Sequence, residues 1–351
     1  MRFNKFLTAV LLGLSLSLFN ACVKPDDPVE PQPASVGKGV FVLNEGSYGN
    51  ANASLSFYNP DVDTVANNLF YKVNNAPIGD VAQSLALADD KLYLVVNNSN
   101  YIYKVDANTL EYEAKIEGFY SPRGMCIVAP NKAYVSDLMG TGLWIVNPMD
   151  MSHCGFVETG KPTENLLQIG NELWTTNWSN YYQPETANNT VQVIDMQNDV
   201  KVAEIEVAAE PNSLAVDKDG MVWVLCSEGW ENTSFSLCKI NPMLKQVVAT
   251  YAFDGGYPSH LCIDKSGTQL YFINGNICRM DINDAASLNT EFIAAEGRSF
   301  YNMVVNPSNG DIYVTDAKNY VQNGDVLRYS SDGVLLNQFT AGISPNAMIF
   351  N

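Results

Sequence analysis

The chain contains few histidines and few positive charges. Its 351 residues include 2 histidines, and 20 Lys and Arg stand against 38 Asp and Glu, which gives a formal net charge of −18. Nucleic-acid binding needs a basic surface that neutralises phosphates, so this balance argues against a nucleic-acid partner. No Cys-x-x-Cys motif occurs and no Cys/His pair has the spacing of a zinc site, so the sequence predicts no zinc site, and our preferred interpretation has no metal ligands.

Catalytic motifs are scarce as well. No Ser or Cys lies in a recognisable nucleophile motif, and no glycine-rich loop opens a helix that would hold a nucleotide. The histidines, His153 and His260, fall in different repeats of the chain, so they do not form a pair. His260 lies in a turn, where it either contacts a ligand or is solvated. We therefore predict no catalytic residues, no cofactor and no enzymatic activity.

A phrase repeated seven times is the most informative feature that the sequence does contain. Each copy has small or polar residues, an apolar strand, a turn and a second apolar strand with an aromatic residue. The leading apolar residues recur 40 to 48 residues apart, and repeats of this length with several strands each are typical of β-propellers. They are Leu85, Met125, Leu166, Leu214, Leu261, Met303 and Met348. The sequence predicts an all-β fold, a single seven-bladed β-propeller with four-stranded antiparallel blades.

The second strand of each copy carries an aromatic residue at a matching place, which we interpret as core packing between blades. These residues are Phe41, Tyr93, Tyr134, Trp174, Trp223, Tyr271 and Tyr313. The repeats begin at Val40 with a second-type strand and end at residues 345–350 with a first-type strand. We therefore expect the C-terminal strand to complete blade 1 and close the ring, which removes open sheet edges.

Residues 1–21 have the pattern of a lipoprotein signal peptide. Arg2 and Lys5 form a positive region, and an apolar stretch too short to span a membrane follows. The next residues, 18–22 (LFNAC), resemble a bacterial lipobox, which implies cleavage before Cys22 and lipid attachment to it. Such an anchor tethers a protein to a membrane without spanning it. The alternative is an ordinary secretory signal with an incidental cysteine.

Residues 22–38 are predicted to form a lipid-anchored, acidic, Pro-rich linker, and residues 39–351 are predicted to form the propeller. Lys24 followed by Asp26 and Asp27 resembles the signal that exports some Gram-negative lipoproteins to the outer face of the outer membrane. We therefore expect an outer-membrane protein that faces the cell surface and is held to the membrane only by its lipid.

The six cysteines after Cys22 do not suggest a disulfide framework, because a domain of this size does not need covalent staples. Cys226 and Cys238 flank one predicted loop, and the sequence leaves open whether they pair.

The loops on one face of the predicted propeller are long and rich in aromatic and amide side chains, whereas the opposite face has short polar turns. Rings supply contact area and amides supply directional hydrogen bonds, so the first face predicts binding of a large, uncharged ligand. The predicted ligand-binding residues are Asn44, Glu45, Tyr48, Asn97, Tyr120, Asp137, Asn177, Trp178, Tyr181, Tyr182, Trp230, Tyr257, Asn274, Tyr301 and Tyr320. The alternative is that each loop aromatic folds back onto its own blade.

Two other functions stay open at this point. Glu45, Asp137, Glu228 and Asp316 carry carboxylates that could hold a calcium ion, as in lactonase-type propellers, which would make the protein a metal-dependent hydrolase. The scarcity of histidine counts against this alternative. The protein could also be a structural or adhesive module of the cell surface, with protein or glycan partners.

The repeats resemble those of the YncE-like seven-bladed propellers, both in entering phrases such as residues 211–217 (PNSLAVD) and in the aromatic second strands. The lipobox, the acidic spacer and an opening at residues 42–50 (VLNEGSYGN) look like the BtuG-type surface lipoproteins that capture cobalamin. That resemblance implies a corrinoid, bound as ligand on the loop-bearing face and delivered to a TonB-dependent outer-membrane transporter. We expect a monomer outside the complex with the transporter.

Overall fold

A computed structural model describes residues 36–178, 188–227 and 234–351. The strands of the first four blades follow one another along the chain. Blade 1 has β1 (Val40–Asn44), β2 (Ser54–Asn59) and β3 (Thr64–Ala66), followed by the helix α1 (Leu69–Asn74). Blade 2 has β4 (Ala82–Ala88), β5 (Lys91–Val96), a 3-10 turn (Asn97–Ser99), β6 (Tyr101–Asp106) and β7 (Tyr112–Glu117). Blade 3 has β8 (Pro122–Ala129), β9 (Lys132–Asp137), β10 (Gly142–Asn147) and β11 (Ser152–Glu158). Blade 4 has β12 (Leu166–Ile169), β13 (Glu172–Thr176), β14 (Thr190–Asp195) and β15 (Val200–Glu206).

The remaining blades repeat the same order of strands. Blade 5 has β16 (Pro211–Val216), β17 (Val222–Cys226), β18 (Ser236–Asn241) and β19 (Gln246–Ala252). Blade 6 has β20 (Ser259–Ile263), β21 (Gln269–Asn274), β22 (Asn276–Asp281), a 3-10 turn (Ala285–Ser287) and β23 (Thr290–Ile293). Blade 7 has β24 (Phe300–Val305), β25 (Ile312–Asp316), β26 (Asn323–Tyr329) and β27 (Leu335–Ile343), and β28 (Pro345–Phe350) ends the chain.

The seven sheets form the predicted seven-bladed β-propeller. Each sheet has four antiparallel strands, and blade 1 has the order β28-β1-β2-β3. Met348 of β28 pairs with Val42 of β1, and Ile349 pairs with Phe41. The prediction that the C-terminal strand completes blade 1 is therefore confirmed. This pairing gives blade 1 its fourth strand, so that β1 is paired on both sides and blade 1 has the same number of strands as the other six blades.

The hydrophobic core is divided among the junctions between blades. Seven clusters of buried side chains each draw residues from two neighbouring blades, and one of them joins blade 7 to blade 1. The aromatic residue of every second strand is buried in such a cluster, and Trp174 and Trp223 are fully buried. The interpretation of these aromatics as core packing is confirmed. Full burial of a large apolar side chain contributes about 1.5–3 kcal/mol, so these positions stabilise the scaffold.

The six cysteines in the described part of the chain are free thiols. Cys226 and Cys238 lie on the neighbouring strands β17 and β18, and both are buried. A hydrogen bond from Cys226 lowers the pKa of Cys238 to about 6.

The helices in the described part of the protein are too short to span a membrane.

Candidate functional site

A cavity of about 430 Å³ lies on the propeller axis, where the innermost strands of all seven blades begin. This axial cavity lies on the predicted loop-bearing face of the propeller. The inner strands begin at that face, and the loops that connect the second strands to the third strands lie on it. Its volume falls within the range of about 300–1,000 Å³ that is usual for small-molecule sites. It is lined by Gln83, Ser84, Leu85, Arg123, Gly124, Met125, Glu164, Asn165, Leu166, Trp178, Asn212, Ser213, His260, Tyr301, Asn302, Asn346 and Ala347.

The lining follows the sequence repeat and forms two rings. The first ring consists of residues two positions before the repeated apolar residue, and six of the seven line the cavity: Gln83, Arg123, Glu164, Asn212, Tyr301 and Asn346. The second ring consists of residues immediately before it, and all seven line the cavity: Ser84, Gly124, Asn165, Ser213, His260, Asn302 and Ala347. The position that follows the two rings holds the repeated apolar residue in every copy, whereas most ring positions are polar and differ between blades.

An ion pair in the lining of the cavity joins the neighbouring blades 3 and 4. Arg123 Nε donates to both carboxylate oxygens of Glu164, at 3.0 and 2.8 Å, and Nη2 donates to Oε1 at 2.9 Å. Arg123 Nη1 donates to Gln83 Oε1 at 2.7 Å. The guanidinium carbon lies 5.7 Å from the centroid of the Trp178 ring, within the range of a cation–π contact. These contacts hold the guanidinium in one orientation and neutralise its charge.

Glu45 forms a second polar cluster beside the first ring. Its carboxylate accepts hydrogen bonds from Tyr301 Oη at 2.8 Å and from Asn346 Nδ2 at 2.6 Å. Burial raises the pKa of Glu45, although these two hydrogen bonds and the nearby Arg123 oppose the rise. Burial also raises the pKa of Tyr301, and the neighbouring Glu45 carboxylate adds to this effect. The phenol therefore acts as a hydrogen-bond donor in this cluster.

His260 contributes a neutral imidazole to the second ring. Its backbone has a φ of 55°, a left-handed conformation that orients the side chain. Its Nδ1 is buried and forms no hydrogen bond within the described part of the protein. Burial lowers the pKa of His260 to about 4, so the ring is uncharged at neutral pH. A neutral imidazole has one nitrogen that donates and one that accepts hydrogen bonds.

Several predicted ligand-binding residues lie at or near the axial cavity. Trp178 and Tyr301 line it, and Glu45 bonds to Tyr301. The Tyr320 ring packs edge-on against the Tyr301 ring, with centroids 5.5 Å apart. Four tyrosines on the loops of this face, Tyr320 among them, have 46–79% of their surfaces accessible to solvent. They are Tyr48, Tyr120, Tyr257 and Tyr320.

Asn97 and Asp137 use their polar atoms within the protein. Asp137 is fully buried and accepts hydrogen bonds from the backbone amides of Tyr120 and Ser121 and from Trp144 Nε1. Asn97 Nδ2 donates to the hydroxyl of Ser121 at 2.8 Å. Both side chains therefore hold the loop that carries Tyr120.

Asn44, Asn177 and Asn274 act in the same way in other blades. Asn44 Nδ2 donates to Ser56 Oγ at 3.0 Å. Asn177 Nδ2 donates to the carbonyl of residue 162 at 2.8 Å, and Asn274 Oδ1 accepts from the amide of Tyr257 at 2.8 Å. These amides position the loops, and the structure gives them no surface in the axial cavity.

Other predicted residues lie outside the part that the structure describes. They are Cys22, Tyr181, Tyr182, Glu228 and Trp230, together with the predicted signal peptide and most of the linker. Of the carboxylates considered for calcium, Asp316 accepts hydrogen bonds from the amides of Ser299 and Lys318. Within residues 36–178, 188–227 and 234–351, no group of three or more His, Cys, Asp and Glu side chains is placed to hold a metal.

Most of the residues that line the axial cavity were not predicted from the sequence. The missed residues include Gln83, Arg123, Glu164, Asn165, Asn212, Asn302 and Asn346. A signal was present, because each of them immediately precedes the repeated apolar residue or lies two positions before it. These positions vary between copies, so they do not stand out as part of the shared repeat.

Comparison with known proteins gives a family and a fold. Residues 38–341 match a family described as a domain of unknown function (DUF5074). A search of curated proteins found no match.

Similar solved structures include a quinonprotein alcohol dehydrogenase-like protein from Bacteroides thetaiotaomicron, with a TM-score of 0.70, 19% identity, and coverage of 90% of this chain and 79% of that one. A functionally unknown protein from Desulfotomaculum acetoxidans has a TM-score of 0.63, 9% identity and coverage of 89% and 98%. The hydrazine synthase of Kuenenia stuttgartiensis has a TM-score of 0.59, 13% identity and coverage of 76% and 88%. At these identities the similarity concerns the fold alone.

Proposed function

For this chain, which belongs to the DUF5074 family, we propose a non-enzymatic role in which the axial cavity binds an uncharged, hydrogen-bonding small molecule. The observation that carries this proposal is the pair of polar rings. The propeller places side chains from all seven blades, most of them polar, around one cavity of about 430 Å³. Convergent polar groups of this kind fix the orientation of a bound ligand.

The charges in the axial cavity favour a ligand without net charge. Glu164 neutralises the Arg123 guanidinium through three hydrogen bonds. Burial raises the pKa of Glu45 and disfavours its ionised form, and burial also keeps His260 neutral. The remaining polar groups are mainly amides and hydroxyls, which donate and accept hydrogen bonds.

For the ligand itself we propose a corrinoid, such as cobalamin or a related compound. A corrinoid carries many amide groups, which match the side-chain amides of Gln83, Asn165 and Asn302. It is too large for a cavity of this volume, so it would rest on the rim and insert only part of its structure. Exposed rings on the same face, such as Tyr48 and Tyr257, offer contact area for its flat ring system.

The biological role that we propose is capture of the ligand at the cell surface. The lipobox at Cys22 would anchor the protein to the outer membrane, and the bound corrinoid would be passed to a TonB-dependent transporter. Support comes from the sequence of the N-terminal segment and from its resemblance to cobalamin-capturing lipoproteins.

The proposed site is tested by isothermal titration of the purified protein with cyanocobinamide. Asn165 suits a blocking substitution, because it lines the axial cavity and its side chain forms no hydrogen bond within the described residues. Asn165→Trp should abolish the binding heat. The matched control is Asn171→Trp, which changes an exposed residue in the short turn between β12 and β13 on the opposite face. This control should bind as the wild type does.

Two results would overturn parts of this proposal. If cyanocobinamide and cobalamin give no heat with the wild type, a corrinoid is not the ligand. If Asn165→Trp, still folded by circular dichroism, binds as tightly as the wild type, the axial cavity is not the site. Hydrolysis of a lactone that a chelator abolishes would instead favour the metal-dependent hydrolase.

A further inference from the structure

A second cavity, of about 400 Å³, lies away from the axis beside α1. It is formed by the end of the loop between β1 and β2, by the segment around α1, and by β26 and β27 of blade 7. Its lining residues are Ala51, Asn52, Ala53, Ser54, Asn67, Asn68, Tyr71, Pro77, Ile78, Asn323, Ala341, Gly342 and Ile343. It shares no lining residue with the axial cavity, so it is a separate site.

The walls of this lateral cavity are held by hydrogen bonds and by close backbone packing. Asn44 Oδ1 accepts a hydrogen bond from the amide of Gly342 at 2.9 Å. A side chain at Gly342 would collide with Ser54 and Asn44, so the backbone approaches β2 as closely as only glycine allows. Asn67 Nδ2 donates to the carbonyl of Thr340 at 3.0 Å, which ties the segment before α1 to β27. The cavity is therefore formed before any ligand binds.

Several polar groups in the lateral cavity have no hydrogen-bond partner among the described residues. Asn67 Oδ1 is buried and accepts no hydrogen bond from any described residue. Asn68 precedes α1 with a φ of 57°, and its side chain does not cap the helix. Within the described part of the chain, the side chains of Tyr71 and Asn323 form no hydrogen bond either. The side-chain amides of Asn68 and Asn323 and the hydroxyl of Tyr71 are therefore free to bond to the hydroxyl groups of a ligand.

The chemistry of the lining indicates the class of ligand. None of the described residues that line the lateral cavity carries a charge, so an ionic ligand would find no counter-charge among them. Ala53, Ile78 and Ala341 provide buried apolar surface, and Tyr71 offers a ring that is 48% exposed. Side-chain amides pair well with neighbouring hydroxyls, because each amide has both donors and an acceptor. A pyranose presents hydroxyl groups at its edge and an apolar C–H face, which fits amides beside a tyrosine ring.

We propose that the lateral cavity binds a neutral saccharide. The site would operate independently of the axial cavity, whatever ligand the latter takes. The tyrosine ring would pack on one face of the sugar, while Asn68 and Asn323 would bond to its hydroxyls.

Saturation-transfer difference NMR of the purified protein tests this proposal. The probes are glucose, galactose, mannose, N-acetylglucosamine and their neutral disaccharides. The wild type should transfer saturation to the ring protons of at least one of them. Tyr71→Ala should weaken binding about fivefold, because it removes the ring that would pack against the apolar face of the sugar. Asn68→Gly keeps the left-handed backbone while removing the amide, and should weaken binding about threefold, as expected for one hydrogen bond.

Two controls separate this site from the rest of the protein. Tyr112→Ala removes a tyrosine of nearly equal exposure, 49%, that does not line the lateral cavity, and it should bind sugar normally. Asn165→Trp, which blocks the axial cavity, should also bind sugar normally. If the wild type shows no transfer to any probe, or if both Tyr71→Ala and Asn68→Gly bind as the wild type does, the proposal is wrong.

Discussion

His260 should remain uncharged until the pH falls far below the usual range for histidine. Burial lowers the pKa of His260 from 6.5 to about 4, and Nδ1 finds no hydrogen-bond partner among the described residues. At 1.36 kcal/mol for each unit of pKa, this difference corresponds to about 3 kcal/mol in favour of the neutral imidazole.

The sign of the resulting pH dependence follows from proton linkage. Between pH 6.5 and about 4 the unfolded chain binds a proton at His260 that the folded protein does not bind. Stability therefore falls as the pH is lowered through this window, whereas above pH 6.5 His260 causes no loss of stability. At the acid end, the loss attributable to His260 approaches about 3 kcal/mol.

The measurement is favourable because the chain has only two histidines. A pH titration of the imidazole Cε1–H resonances by NMR gives two curves, and the His260→Asn variant identifies which one belongs to His260. Asn tolerates the left-handed backbone at this position. Urea unfolding of both proteins at pH 7 and pH 4.5 should then show an acid loss that is smaller in the variant. A His260 resonance that titrates near 6.5, with equal acid losses in both proteins, would refute this reasoning.

Three further predictions concern the polar rings and the closure of the propeller. Arg123→Met leaves Glu164 without its partner and should cost about 3–5 kcal/mol in urea unfolding, whereas Arg123→Met with Glu164→Met should recover most of it. Because burial raises the pKa of Glu45, wild-type stability should fall relative to Glu45→Gln as the pH rises above about 4.5. Deletion of residues 345–351 removes β28 from blade 1 and should abolish cooperative unfolding followed by circular dichroism.

Each of these predictions has a clear contrary result. A loss below 1 kcal/mol in Arg123→Met, or no recovery in the double variant, would show that the ion pair is not coupled. A stability difference that does not change with pH would show that Glu45 titrates alike in the folded and unfolded chains. Cooperative unfolding of the truncated chain would show that closure by β28 is dispensable.

The repeat was sufficient to predict the fold, because in a propeller each copy faces the same packing problem. The position of Leu85 is apolar in all seven blades. The matching position in each second strand, which holds Trp174 in blade 4 and Trp223 in blade 5, is a buried aromatic in all seven. Residues with equal surroundings leave a periodic signal. The closing pair of Val42 and Met348 was also predictable, since the first and last copies are incomplete in complementary ways.

The candidate site was harder to predict, because its residues have unequal surroundings. Arg123 and Glu164 lie 41 positions apart, and the packing of blade 3 against blade 4 brings their charged groups to 2.8 Å. Composition of the loops identified Tyr301 and Trp178, but it did not separate amides that face the axial cavity from those that hold loops. Asn44 and Asn346 look alike in sequence, yet Asn44 supports a wall of the lateral cavity whereas Asn346 lines the axial cavity.

The central claim is that the axial cavity is the ligand-binding site, and one titration tests it most directly. Cyanocobinamide is added to the wild type, to Asn165→Trp and to Asn171→Trp in an isothermal titration calorimeter. We predict one-to-one binding by the wild type and by Asn171→Trp, and no binding heat from Asn165→Trp. Equal binding by all three proteins would contradict the claim.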